Sequence, residues 1–121
     1  NEHYQNILQL AVESGLYLLG GSAATKVEGK IMNRAYNFSP DGEELGLYDK
    51  MNLFAVDLSK HPSNTVLDEA RIYSCGNEPR MIKVKEFTIG VAICFDLRFP
   101  ELFRSYSFHG ANVLSVSSAF T

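Results

Sequence analysis

Apolar residues recur at helical spacing at the start of the chain. Tyr4, Ile7, Leu8 and Ala11 share one face of residues 2–14, and Gly15 stops the helix this predicts. The period then changes. Residues 16–20 (LYLLG) are short and nearly all apolar, which predicts a strand buried on both sides, with Gly21, Ser22 and Ala23 leading out of it. Residues 31–38 and 45–48 flank residues 39–43 (SPDGE), where an early proline and a glycine after Asp41 predict a hairpin turn. Residues 49–64 are polar and punctuated, and residues 57–74 read as an excursion holding at most a short helix. Residues 81–84 and 87–93 predict a second strand pair turning at Lys85-Glu86. Pro100 suits the first position of a helix and Glu101 its positive end. Leu102, Phe103 and Tyr106 then face a sheet, Gly110 ends the helix, and residues 113–117 form the last predicted strand.

Helices alternating with apolar strands and a hairpin predict an α/β fold, a layered sheet covered by helices. The 121 residues, 45% of them apolar, suffice for one modest folded domain. A net charge of −3 without long runs of one sign gives no reason to expect nucleic acid or an anionic membrane surface as partner. No apolar stretch is long enough to span a bilayer. Two cysteines make no disulfide scaffold, so a reducing compartment, the cytoplasm, is expected. Residues 1–15 read as an amphipathic helix rather than a targeting segment, although the first residue is Asn1. The last predicted strand has nothing after it to cover it, so the chain is expected to be a piece of something longer.

The chemistry centres on Cys94, which ends the apolar run 89–94 (IGVAIC) and is followed at once by Asp96, Arg98 and Glu101. Two readings stand side by side. A cysteine in an apolar strand is commonly a small buried hydrophobe. A cysteine at a strand-to-helix turn among charges instead suits acyl transfer, with its thiol at the open end of a sheet and neighbouring N–H groups aimed the same way. Lys50, at the end of the hairpin's return strand, is the second candidate, since a lysine over a cysteine favours the thiolate and the oxyanion of a tetrahedral intermediate. His3, His61 and His109 are scattered and give no metal-ligand spacing; no cofactor or metal is expected, and Cys75 reads as an unpaired loop thiol.

Residues 48–54 (YDKMNLF) resemble the lysine motif of the nitrilase superfamily, the carbon–nitrogen hydrolases, and residues 92–101 (AICFDLRFPE) closely resemble its cysteine motif. Residues 20–22 (GGS), 37–42 and 117–121 (SSAFT) are similar to family segments in the expected order. The resemblance implies a four-layer α-β-β-α sandwich, incomplete at both ends, of which residues 1–121 are the central portion of a single domain. It implies a Glu–Lys–Cys triad in which Cys94 is the nucleophile, with Lys50 and the Phe95 backbone N–H at the oxyanion. Glu69, in residues 67–70 (LDEA) beside Asp68, is the nearest match to a further glutamate that positions substrate or lysine; a solvated loop glutamate is the other reading.

Two departures qualify this. The family's general-base glutamate falls upstream of the first residue, and neither Glu2 nor Glu13, both in the predicted helix, replaces it. Asn52, expected among the substrate-binding residues, stands where related sequences carry histidine; it cannot titrate near neutrality, so any role there is positional. Arg98 either binds a substrate carboxylate or pairs with Asp96 or Glu101, and Glu101 suits the start of its helix. Tyr36 and Asn37 either line the pocket or pack within the hairpin. The form of the cysteine motif is most similar to the omega-amidase and Nit-type branch. That implies hydrolysis of a small carboxylated amide through a cysteine thioester, in a homo-oligomer, with the isolated 121 residues inactive. A catalytically incomplete or regulatory relative, and a structural or interaction domain with a buried Cys94, are the alternatives.

Overall fold

The computed structural model describes residues 2–60, 62 and 65–119; His61, Phe120 and Thr121, which figure in the sequence reading, lie outside them. Helix α1 (Glu2–Ser14) runs as its apolar spacing requires, with Ala11 fully buried and Tyr4, Ile7 and Leu8 packed beside it. Gly15 closes it at φ +68°. Strands β1 (Leu18–Val27), β2 (Lys30–Phe38) and β3 (Glu44–Asp49) form an antiparallel sheet in that order. The 39–43 turn is as predicted: the Gly42 N–H donates to the Ser39 carbonyl at 3.0 Å, with Gly42 at φ +83°.

The first strand departs from expectation. β1 is ten residues long, starts at Leu18 and is only half-buried, while Leu16 is exposed. The Gly-Gly-Ser segment does not end the strand; it makes a bulge, with the register shifting between Leu19 and Ser22 and Gly21 at φ +69°. β2 goes on pairing with the residues beyond, and that pairing, not apolar content, extends β1.

The 57–74 excursion is more ordered than its polarity suggests. Strands β4 (Ala55–Leu58) and β5 (Thr65–Asp68) pair as an antiparallel hairpin, and the expected short helix is a single 3-10 turn, Glu69–Arg71. The third sheet has the order β6 (Met81–Val84), β7 (Phe87–Ile93), β8 (Val113–Ser117). β6 and β7 are antiparallel, with Lys85 in their turn at φ +55°; β7 and β8 are parallel. Parallel neighbours need a crossover, supplied here by a 3-10 turn (Cys94–Arg98) and helix α2 (Pro100–Phe108).

Side-chain parity then builds the layers. On β2, Ala35 faces inward, while Tyr36 and Phe38 face α1. On β7, Ile89, Val91 and Ile93 face inward, while Ala92 meets Leu102 and Tyr106 of α2. The inward residues of both sheets, with Tyr48 and Ile82, form one buried cluster. The order is therefore helix, sheet, sheet, helix, the α-β-β-α arrangement. Gly90 lets α2 close down, because a Cβ there would stand 2.5 Å from the Tyr106 ring. The Tyr106 hydroxyl donates to the Val91 carbonyl at 2.5 Å and accepts from the Arg80 N–H at 3.1 Å, tying helix to strand.

Candidate active site

Cys94 sits where β7 ends, at φ +47°, a left-handed conformation that residues with a Cβ adopt at a cost of roughly 1–2 kcal/mol. The preceding residue, Ile93, is still extended and faces the core. The turn reverses at once, leaving Cys94 half-buried, with one side against the core and the other on a cleft of about 530 Å³. Strain of this kind gathers where a side chain must be aimed. Cys94→Gly is accordingly expected to be more stable in urea unfolding than Cys94→Ala, by about 1 kcal/mol. A glycine variant less stable than the alanine variant would contradict the left-handed turn.

Lys50 opens on the same cleft. It follows β3, and its backbone is held on both sides: its N–H donates to the Asn33 carbonyl at 2.9 Å, and its carbonyl accepts from the Gly76 N–H at 2.8 Å. The residue is 2% exposed, and its Nζ lies 2.6 Å from Glu69 Oε1. That oxygen also accepts from the Phe54 N–H at 2.7 Å. The adjacent Asp68 is spent differently, its Oδ1 accepting from the Ala70 N–H at 3.0 Å to cap the 3-10 turn. The structure thus separates the two acids: Asp68 caps, and Glu69 pairs with the lysine in the cleft. An ammonium has three hydrogens; Glu69 takes one, so donors remain for a bound group.

Behind Cys94 lies Asp96, fully buried. Its Oδ2 accepts from the Tyr48 hydroxyl at 2.6 Å and the Ile93 N–H at 2.9 Å. Its Oδ1 accepts from the Asn52 N–H at 3.0 Å and Asn52 Nδ2 at 2.8 Å. Burial, and after it the neighbouring Asp96, push the Tyr48 phenol far above its ordinary titration range, so it stays a donor.

Cys94, Lys50 and Glu69 therefore meet at one cleft, and the other candidate side chains do not join them there. Tyr36 faces α1, because parity on β2 turns it away from Asn33 and Ala35; its hydroxyl lies 2.6 Å from Thr25 Oγ1 and its ring packs edge-on against Tyr4. Asn37 likewise packs, donating from Nδ2 to the Gly46 carbonyl at 3.0 Å. Asn52, expected at the substrate, is instead turned onto Asp96 and lies outside the cleft lining. Arg98 is exposed, outside the cleft lining, and in no ion pair among the described residues. Its expected pairing with Asp96 fails because Asp96 points inward to four other donors. Glu101 is exposed in the first turn of α2. The Phe95 ring packs edge-on against Phe54 and Phe99, with its backbone in the turn that Cys94 starts. The cleft also receives Ser22, from the β1 bulge, and Asn33. Asn33 shares the inward parity of Ala35 on β2, and Ser22 belongs to the Gly-Gly-Ser segment.

The sequence profile described as carbon-nitrogen hydrolase matches residues 1–121. The chain belongs to the carbon-nitrogen hydrolase family. Among curated proteins it is 34% identical over 119 residues to the omega-amidase NIT2 of Xenopus tropicalis and 33% identical over 119 residues to that of Homo sapiens. Each alignment covers 98% of this chain and 42% of the relative, so the chain spans about two fifths of these proteins. Saccharomyces cerevisiae Nit3, a member of branch 10 of the nitrilase superfamily, superimposes with a TM-score of 0.83 at 28% identity. That match covers 100% of this chain and 41% of Nit3, and the layered fold is the nitrilase fold.

Proposed function

We propose that the intact protein containing this chain hydrolyses a small amide through a thioester on Cys94. The observation that carries this reading is that a strained, half-buried Cys94 shares one cleft with the buried Lys50 and its partner Glu69. Cys94 Sγ attacks the carboxamide carbon and its proton passes to a base, which the family pattern puts on a glutamate upstream of Gly20. The amine leaves as ammonia, carrying that proton. Water then attacks the thioester carbon, the acid departs, and the thiol regains its hydrogen. Lys50 Nζ and the Phe95 N–H stabilise the oxyanion in both halves, and Glu69 holds the lysine in place. Because the nucleophile must remain a thiol, the proposal puts the enzyme in a reducing compartment such as the cytoplasm.

The carboxylated substrate class is supported by the omega-amidase relatives; Arg98, outside the cleft, lends it no support. The test is ammonia release by the intact protein from a short amide ending in a carboxylate and from its uncharged isostere. The expected result is turnover of both, with kcat/KM about tenfold or more higher for the carboxylate, the scale of one charge-assisted hydrogen bond. Cys94→Ala is expected to release none. Undiminished release by Cys94→Ala would overturn the reaction, and equal kcat/KM for the two amides would overturn the substrate class alone.

A further inference from the structure

We infer that Asp96 is a positioning residue that joins the lysine-bearing turn to the cysteine-bearing turn, setting Lys50 and Cys94 in register across the cleft. The inference rests on Cys94 being the nucleophile. Asp96 is not among the residues lining the cleft, so it acts through its neighbours. Its bonds are divided oxygen by oxygen. Oδ1 takes both donors of Asn52, two residues after Lys50. Oδ2 takes the hydroxyl of Tyr48, two residues before Lys50, and the N–H of Ile93, the residue before Cys94. Every donor thus flanks one of the two cleft residues.

All four groups facing the carboxyl are donors, and the Tyr48 hydroxyl itself accepts from the Met51 N–H at 3.3 Å. A carboxylate satisfies that arrangement, and an amide cannot. Among the described residues no cation pairs with Asp96. Well-packed apolar side chains would stabilise the core as well or better, so stability alone does not account for a buried acid here. Three of these bonds reach a turn far away in sequence, and the fourth, from Ile93, fixes Asp96 within the turn of the left-handed Cys94.

Asp96→Asn keeps the size of the side chain but turns an NH2 toward donors. In the intact protein it is expected to lower kcat about 100-fold, the scale of a misplacement near 1 Å, with little change in KM. Alkylation of Cys94 by iodoacetamide should slow as well. In a Lys50→Met background, Asp96→Asn should add almost nothing to the slowing, because its effect travels through the lysine. A residue that only held the fold together would slow both backgrounds by the same factor. If Asp96→Asn does not fold, Tyr48→Phe and Asn52→Ala each remove one donor and should give smaller losses of kcat at unchanged KM. Wild-type kcat in a folded Asp96→Asn, wild-type kcat in both single-donor variants, or equal slowing with and without Lys50 would overturn the inference. Turnover surviving in Cys94→Ala would instead overturn the nucleophile on which it rests.

Discussion

Lys50→Met is expected to lower kcat by about 10²–10³-fold, the loss typical of removing one oxyanion donor. Methionine keeps an unbranched apolar stem of similar reach in a site where the lysine side chain is 3% exposed, so the fold should survive. Glu69 loses its cation but keeps the Phe54 N–H, and its side chain is 21% exposed. The stability cost should therefore stay below the roughly 3–5 kcal/mol of breaking a fully buried pair. Steady-state kinetics and urea unfolding of the intact protein measure both effects. A Lys50→Met enzyme with near-wild-type kcat would remove the lysine from the proposed chemistry.

Gly76→Ala should have the largest effect on stability, a loss of about 3 kcal/mol, at the upper end for overpacking. An added Cβ would overlap the Asp49 carbonyl group and stand 2.8 Å from the Asp49 side chain. The principal clash is with main chain, so no rotamer change relieves it. The segment cannot back away cheaply either: Ser74 donates to the Ile31 carbonyl at 2.8 Å, and the Gly76 N–H holds the Lys50 carbonyl. Displacement would therefore disturb the lysine together with the fold, and kcat should fall as well. Urea unfolding gives the measurement, and a loss under about 1 kcal/mol would show that the close approach is not needed.

Much of the fold could be read from periodicity. α1, the first hairpin, the β6–β7 pair, α2 and β8 follow apolar spacing and turn chemistry local to each segment. What escaped depends on partners distant in the chain. β1 continues through Gly20 and Gly21 because β2 pairs with it, and its small residues Ser22, Ala23 and Ala24 carry no strand signal of their own. β4 and β5 pair only with each other, and none of their described side chains is buried. Cys94, Lys50 and Glu69 each sit in or beside a motif, and the cleft brings the three together.

The direction of each side chain was harder to foresee. Asp96 reads as one member of a charged cluster, yet Tyr48 and Asn52, more than forty residues earlier, draw it inward. Arg98 loses its expected partner as a consequence. Tyr36 is a matter of parity: with Phe38 it belongs to the face that α1 covers, and alternation along β2 already implied that both point away from Asn33.

The central claim is that Cys94 becomes acylated during turnover. Acid quench of the intact protein with a small amide, within the first turnovers, followed by mass analysis of the Cys94 peptide, tests it directly. The account predicts an increase equal to the acyl group, on Cys94 alone, that disappears when the amide is exhausted. Steady ammonia release with an unmodified Cys94 peptide, and the same rate in Cys94→Ala, would contradict it.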